Sequence, residues 1–187
     1  IINGGKHGAG NLDFQEFHLI PTSRKRFSQN LEIGAEIYQN LKNILITKKA
    51  VHAVGDEGGF VPNLFSNTDA IELMIEAINA SPHKLNQEVF MGLDIAASTF
   101  FQNKTYTIRD RKEPMDVETY FKFLSDLKKK YNLFSIEDPL EQDSWADWVS
   151  LTADIGRDTM IVGDDLLVTN KLKLREAIEK KACNAIL

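Results

Sequence analysis

EVFMGLD at 88–94, YNLFSIE at 131–137 and MIVGD at 160–164 share one design, a short and mainly apolar run that ends on a carboxylate. Short apolar runs of this kind suit strands buried on both faces, as in a parallel sheet. With a helix after each strand, Asp94, Glu137 and Asp164 project at the same end of the sheet, where βα proteins carry their chemistry. Three converging carboxylates raise one another's pKa values unless a cation sits among them. An all-oxygen set without His or Cys nearby suits Mg²⁺ better than Zn²⁺. Helix capping by three unrelated acids is the plain alternative, and their succession at equivalent places weighs against it. Asp138 and Asp165 follow directly in the chain, so their side chains are expected to point elsewhere, in capping or supporting roles.

The segments around these runs alternate in the same way. FQEFHLI at 14–20 is strand-like and Pro21 closes it. A long helix is expected over 26–49, with Phe27, Leu31, Ala35, Tyr38, Leu41 and Leu45 as its apolar face. A second is expected over 69–80, capped near Thr68 or Asp69. After Asp94 comes an excursion containing KTYTIRD. Helices near 117–130, 145–151 and 170–181 then alternate with the strands that end at Glu137 and Asp164. Such βα units imply a parallel sheet with right-handed crossovers, either a closed barrel or an open doubly wound sheet, and the acids at the strand tips favour the barrel. No repeat or flexible linker marks an internal domain boundary.

Composition narrows the function. A chain of 187 residues with 43% hydrophobic content buries a sizeable core, and its formal charge of −5 argues against a nucleic-acid partner, which usually demands a basic face. Cys183 is the single cysteine, which leaves no internal disulfide and no multi-cysteine metal site. No apolar stretch approaches the length of a membrane span. The opening without Met and the stop within an apolar run read as cut ends.

Two glycine-rich stretches carry further chemistry. GDEGGF at 55–60 sets two acids before two glycines, so that the backbone turns tightly and presents a carboxylate. INGGKHGAGN at 2–11 places four glycines around His7, which suits a loop that closes on an anionic substrate. It is not a Walker loop, because no GK[ST] follows the glycines. A histidine in a loop is more often a plain surface residue, and the glycines around His7 are what single it out. Glu16 lies in a strand-like run, where a buried carboxylate needs a partner or a role.

Taken together, NGGKHGAGN at 3–11, FQEF at 14–17, GAEIYQNLK at 34–42, VGDEGGFVPN at 54–63, GLDIAAS at 92–98, SIEDPLEQDSW at 135–145 and VGDDLLVTN at 162–170 resemble the enolase family in content and order, over nearly the whole chain. The resemblance implies that 1–187 is the first and middle part of that family's C-terminal barrel domain. This is an incomplete TIM-type α/β barrel with a ββαα start followed by βα units, without the N-terminal domain and the last barrel units. It further implies a cytoplasmic, Mg²⁺-dependent lyase that interconverts 2-phosphoglycerate and phosphoenolpyruvate in glycolysis, homodimeric as the full-length protein.

Carried over by position, Asp94, Glu137 and Asp164 hold the metal. Glu57 is the proton donor and Glu16 the second catalytic glutamate. His7, Gln15, Glu16, Glu137 and Asp164 meet the substrate. The family's Lys base, which works with Mg²⁺ in this superfamily, falls just beyond Leu187, so these residues by themselves are expected to be inactive. Lys6 stands where the family usually carries a small residue. A truncated relative kept for binding or structure is the alternative outside catalysis. A second enzymatic alternative, an acid-sugar dehydratase of the wider superfamily, usually carries Lys-x-Lys before its first metal ligand, and none precedes Asp94.

Overall fold

The computed structural model describes residues 1–8 and 10–187, in two units, Ile1–Gly92 and Leu93–Leu187. In the first, strand β1 (Ile2–Asn3) runs antiparallel to β2 (Glu16–Pro21), with Ile2 opposite Phe17 and Asn3 opposite Glu16. Side chains alternate along a strand, so Phe17 enters the core while Glu16 and His18 share the other face of β2. Pro21 is the last residue of the strand.

Helices α1 (Phe27–Thr47) and α2 (Asn67–Asn79) follow and pack on one another. The buried face of α1 differs from the expected one. Ile33, Ile37, Leu41 and Leu45, each four residues on from the last, are buried, whereas Phe27 and Leu31 are 82% and 62% exposed. Two apolar stripes fit the helical period on this segment, and packing against α2 selects the isoleucine one. At the start of α2 the cap is Ser66 rather than Thr68 or Asp69, because its Oγ accepts the Asp69 N–H at 3.0 Å.

Strand β3 (Val89–Asp94) carries the chain from the first unit into the second. There β4 (Phe101–Gln102) and β5 (Thr105–Tyr106) form a hairpin. Asn103 and Lys104, with φ of 51° and 62°, make its turn; two left-handed residues match the twist of the strands they join. Helix α3 (Val117–Tyr131) leads to β6 (Ser135–Glu137), α4 (Trp145–Ile155) to β7 (Met160–Gly163), and α5 (Lys171–Lys180) to β8 (Ala185–Ile186).

Strands β6, β7 and β8 are parallel neighbours, with Glu137 opposite Val162 and Gly163 opposite Ile186. This register brings the ends of β6 and β7 level, so the residues after them, Asp138 and Asp164, emerge at one end of the sheet. The core beneath holds Trp148, whose Nε1 donates to the Glu141 carbonyl at 3.1 Å, and the stacked rings of Tyr106 and Tyr120. Among the described residues, no helix is long and apolar enough to cross a membrane.

Candidate functional site

In the first unit the glycine loop is sewn to β1. The Asn3 N–H donates to the Phe60 carbonyl at 2.9 Å, and the Phe60 N–H donates to the Ile1 carbonyl at 2.9 Å. Gly55 N–H to Gly59 carbonyl, at 2.8 Å, closes the turn between them. Gly58 sits at φ +83°, where a Cβ would be strained, and its carbonyl accepts the Tyr38 hydroxyl at 2.9 Å. Gly59 allows the closest approach, because a Cβ there would run into the Asn3 side chain. Gly59→Ala is expected to push the loop off β1 and to cost about 1–3 kcal/mol, read from denaturant unfolding.

This stitching brings the loop's Glu57 to a cluster on β2. His7, from a single 3-10 turn at Gly5–His7, places Nδ1 2.8 Å from Glu16 Oε1 and 3.5 Å from Glu57 Oε2. On the other side, His18 Nε2 lies 2.7 Å from Glu16 Oε2. An ionised carboxylate only accepts, so each imidazole donates an N–H to it. The hydrogen bond from His18 is the first cause that holds Glu16 far below the usual carboxylate range. Glu57 and His7 add to it against the opposing cost of burial, and the value falls from 4.5 to about 2. Glu57 moves the other way, because its hydrogen bond to Glu16 and that group's negative charge favour keeping its proton.

These shifts have opposite signs in stability. Glu16, depressed on folding, stabilises the fold above pH 4.5 and loses that contribution as the pH falls toward about 2. Glu57, raised on folding, contributes at low pH and loses that as the pH rises. In a Glu57→Gln background, which removes the second effect, adding Glu16→Gln is expected to destabilise near neutral pH. The difference should vanish toward pH 2 in denaturant titrations.

In the second unit the carboxylates of Asp94 and Glu137 come together. Their ligand oxygens and one from Asp138 lie within 4.8 Å of one another. Asp94 is 3% exposed, and its Oδ1 accepts the Ala96 N–H at 3.1 Å; Ile95 N–H donates to the Glu137 carbonyl at 2.9 Å. Three carboxylate oxygens at this spacing suit a hard cation such as Mg²⁺ and offer no soft ligand. Asp164 is not in this group of three.

Asp138, placed by the sequence in a supporting role, instead lies in the cluster and also supports it. It is 3% exposed at φ +40°, and its two oxygens accept the N–H groups of Asp164 at 3.0 Å and Asp165 at 2.8 Å. The Asp138 carboxylate thereby fixes the backbone from which Asp164 projects. Burial is the main cause that pushes Asp138 up to about 6, partly opposed by those two bonds.

Gln15 stands just before β2, where its carbonyl accepts the Gly4 N–H at 2.9 Å and ties the glycine-rich opening to the strand. Lys6 is exposed in the 3-10 turn. His18 was not anticipated, although its signal is plain once β2 is placed, since residues two apart on a strand share a face.

Parallel strands with helices between them, and carboxylates at or just beyond their ends, fit the TIM-barrel class. The family model for enolase, C-terminal TIM barrel domain, matches residues 1–187, and the chain belongs to that family. The order β1, β2, α1, α2 and then βα units is the ββαα start of an incomplete barrel of the enolase variety.

Proposed function

We propose that the protein is a Mg²⁺-dependent lyase that interconverts 2-phosphoglycerate with phosphoenolpyruvate and water, working in the cytoplasm as a homodimer. The meeting of the Asp94 and Glu137 carboxylates, in a chain of this family, carries the reading. Asp94, Glu137 and Asp164 would hold the cation; Asp94 and Glu137 meet in one group with Asp138, and Asp164 projects from backbone that the Asp138 carboxylate holds. When bound there, Mg²⁺ would neutralise the charge that grows beside the substrate carboxylate as a base takes a proton from the neighbouring carbon.

Glu57 protonates the departing β-hydroxyl, and Glu16 stays ionised beside it, which favours the proton on Glu57. His7 and Gln15 position the substrate, which Glu137 and Asp164 border. The product of the complete gene, supplied with 2-phosphoglycerate, is expected to form phosphoenolpyruvate. A chelator should stop the reaction and Mg²⁺ should restore it. Failure to form phosphoenolpyruvate with Mg²⁺ present, in a folded protein, would overturn the reading.

A further inference from the structure

We infer that His18 is a positioning residue: by holding Glu16 Oε2 it keeps Glu16 the anionic member of the Glu16–Glu57 pair and leaves their shared proton on Glu57. Its consequence for catalysis rests on the lyase reading above; its consequence for the proton does not. The contact is built into β2. Glu16 and His18 are two residues apart on one face, with Phe17 buried behind them, and Nε2 meets Oε2 at 2.7 Å.

With His7 on Oε1 at 2.8 Å, both Glu16 oxygens receive an imidazole N–H, and a proton added to Glu16 would remove the charge that strengthens both bonds. Among the described residues Glu57 has no such pair of imidazole donors, its closest histidine contact being His7 at 3.5 Å. The groups that face the pair are His18 from β2, His7 from the 3-10 turn, Asp56 beside Glu57 in the glycine loop, and the amino group of Ile1. Of these, only His7 and His18 have contacts to Glu16 oxygens, and His7 is divided between both glutamates.

The mechanism makes an unusual forecast for the pair, which titrates as a unit. Without His18, Glu16 competes for the proton. The upper transition of the pair should then stay in place or move up in pH, while the fraction of molecules with the proton on Glu57 falls. The alkaline limb of the rate profile is therefore not shifted down. Its plateau is lowered, by about tenfold in kcat with KM little changed.

The test is a carboxyl-carbon NMR titration of the complete gene product labelled at glutamate, with Glu16 and Glu57 assigned from their Gln variants, alongside kcat and KM across pH. In the wild type only the Glu57 signal should move through the upper transition. In His18→Leu both signals should move together, and His18→Gln, which still donates an N–H, should restore the wild-type pattern. In a Glu16→Gln background His18→Leu should add nothing to the loss in kcat, a result that separates action through Glu16 from general damage to the fold. An unchanged Glu57-only transition in His18→Leu overturns the inference. The expected NMR pattern in a protein that forms no phosphoenolpyruvate would overturn the lyase reading and leave the role of His18 standing.

Discussion

Asp94→Asn in the complete gene product is expected to lower kcat/KM for 2-phosphoglycerate by about 10³-fold or more and to weaken Mg²⁺ binding in parallel. The substitution is nearly isosteric. Asn keeps an oxygen that can accept the Ala96 N–H, so the turn after β3 should survive. What disappears is one full negative charge among oxygens that lie within 4.8 Å of one another. Metal-based stabilisation of developing charge is worth several kcal/mol, and each 1.36 kcal/mol is tenfold in rate, which sets the scale of the loss. Removing a charge from a crowded acidic group also relieves repulsion, so the variant is expected to melt no lower than the wild type without Mg²⁺ and to gain less when Mg²⁺ is added. Calorimetric titration with Mg²⁺ separates the possibilities. Unchanged affinity in Asp94→Asn would remove Asp94 from the ligand set, whatever happened to the rate.

Part of this arrangement is legible in the chain because short apolar runs that end on carboxylates suit buried strands. The apolar run before Asp94 became β3, but of YNLFSIE only Ser135–Glu137 became β6, because Tyr131 still belongs to α3 and Asn132 caps it; the carboxylates of Asp94 and Glu137 lie close together. Elements defined by distant partners were not legible. The two residues of β1 have no period to read, and they form a strand because Phe17 and Glu16 lie opposite on one side and Phe60 bonds to the backbone on the other. On α1 the period and the second half of the face, Leu41 and Leu45, match the expectation, whereas in the first half Ile33 and Ile37 are buried in place of Phe27 and Leu31, since both sets satisfy helical spacing and the packing of α1 on α2 and β2 decides between them. Asp138 was placed in a supporting role because neighbours on a strand point to opposite faces. At φ +40° it has left strand geometry, so the alternation rule no longer governs it. His18 belongs to no motif, and its meaning comes from a contact with Glu16 that requires β2 to be in place.

Glu57→Gln is expected to lower kcat by about 10²- to 10⁴-fold while Mg²⁺ affinity stays unchanged, the converse of Asp94→Asn. Glu57 projects from a loop whose shape depends on glycines and on backbone bonds to β1, so an isosteric amide should leave the loop in place. Its side chain is 52% exposed, and burial is only a minor cause of its raised pKa; the hydrogen bond and charge of Glu16 come first. The proton is therefore retained to higher pH than in an ordinary carboxyl. A reaction that needs this acid form proceeds below the raised value and declines as the pH rises through it. The wild-type rate should show that alkaline decline, and the residual rate of Glu57→Gln should lack it, because Gln carries no proton to lose. The metal measurement gives the experiment its second edge. His7, Glu16 and Glu57 also bring ligand atoms within 4.8 Å of one another, so a cation held there would make Glu57 a ligand and not an acid. In that case Glu57→Gln would weaken metal binding and Glu16→Gln would do the same. Unaltered affinity in both, together with a lost alkaline limb in Glu57→Gln alone, would assign the proton to Glu57 and leave the cation to Asp94 and Glu137.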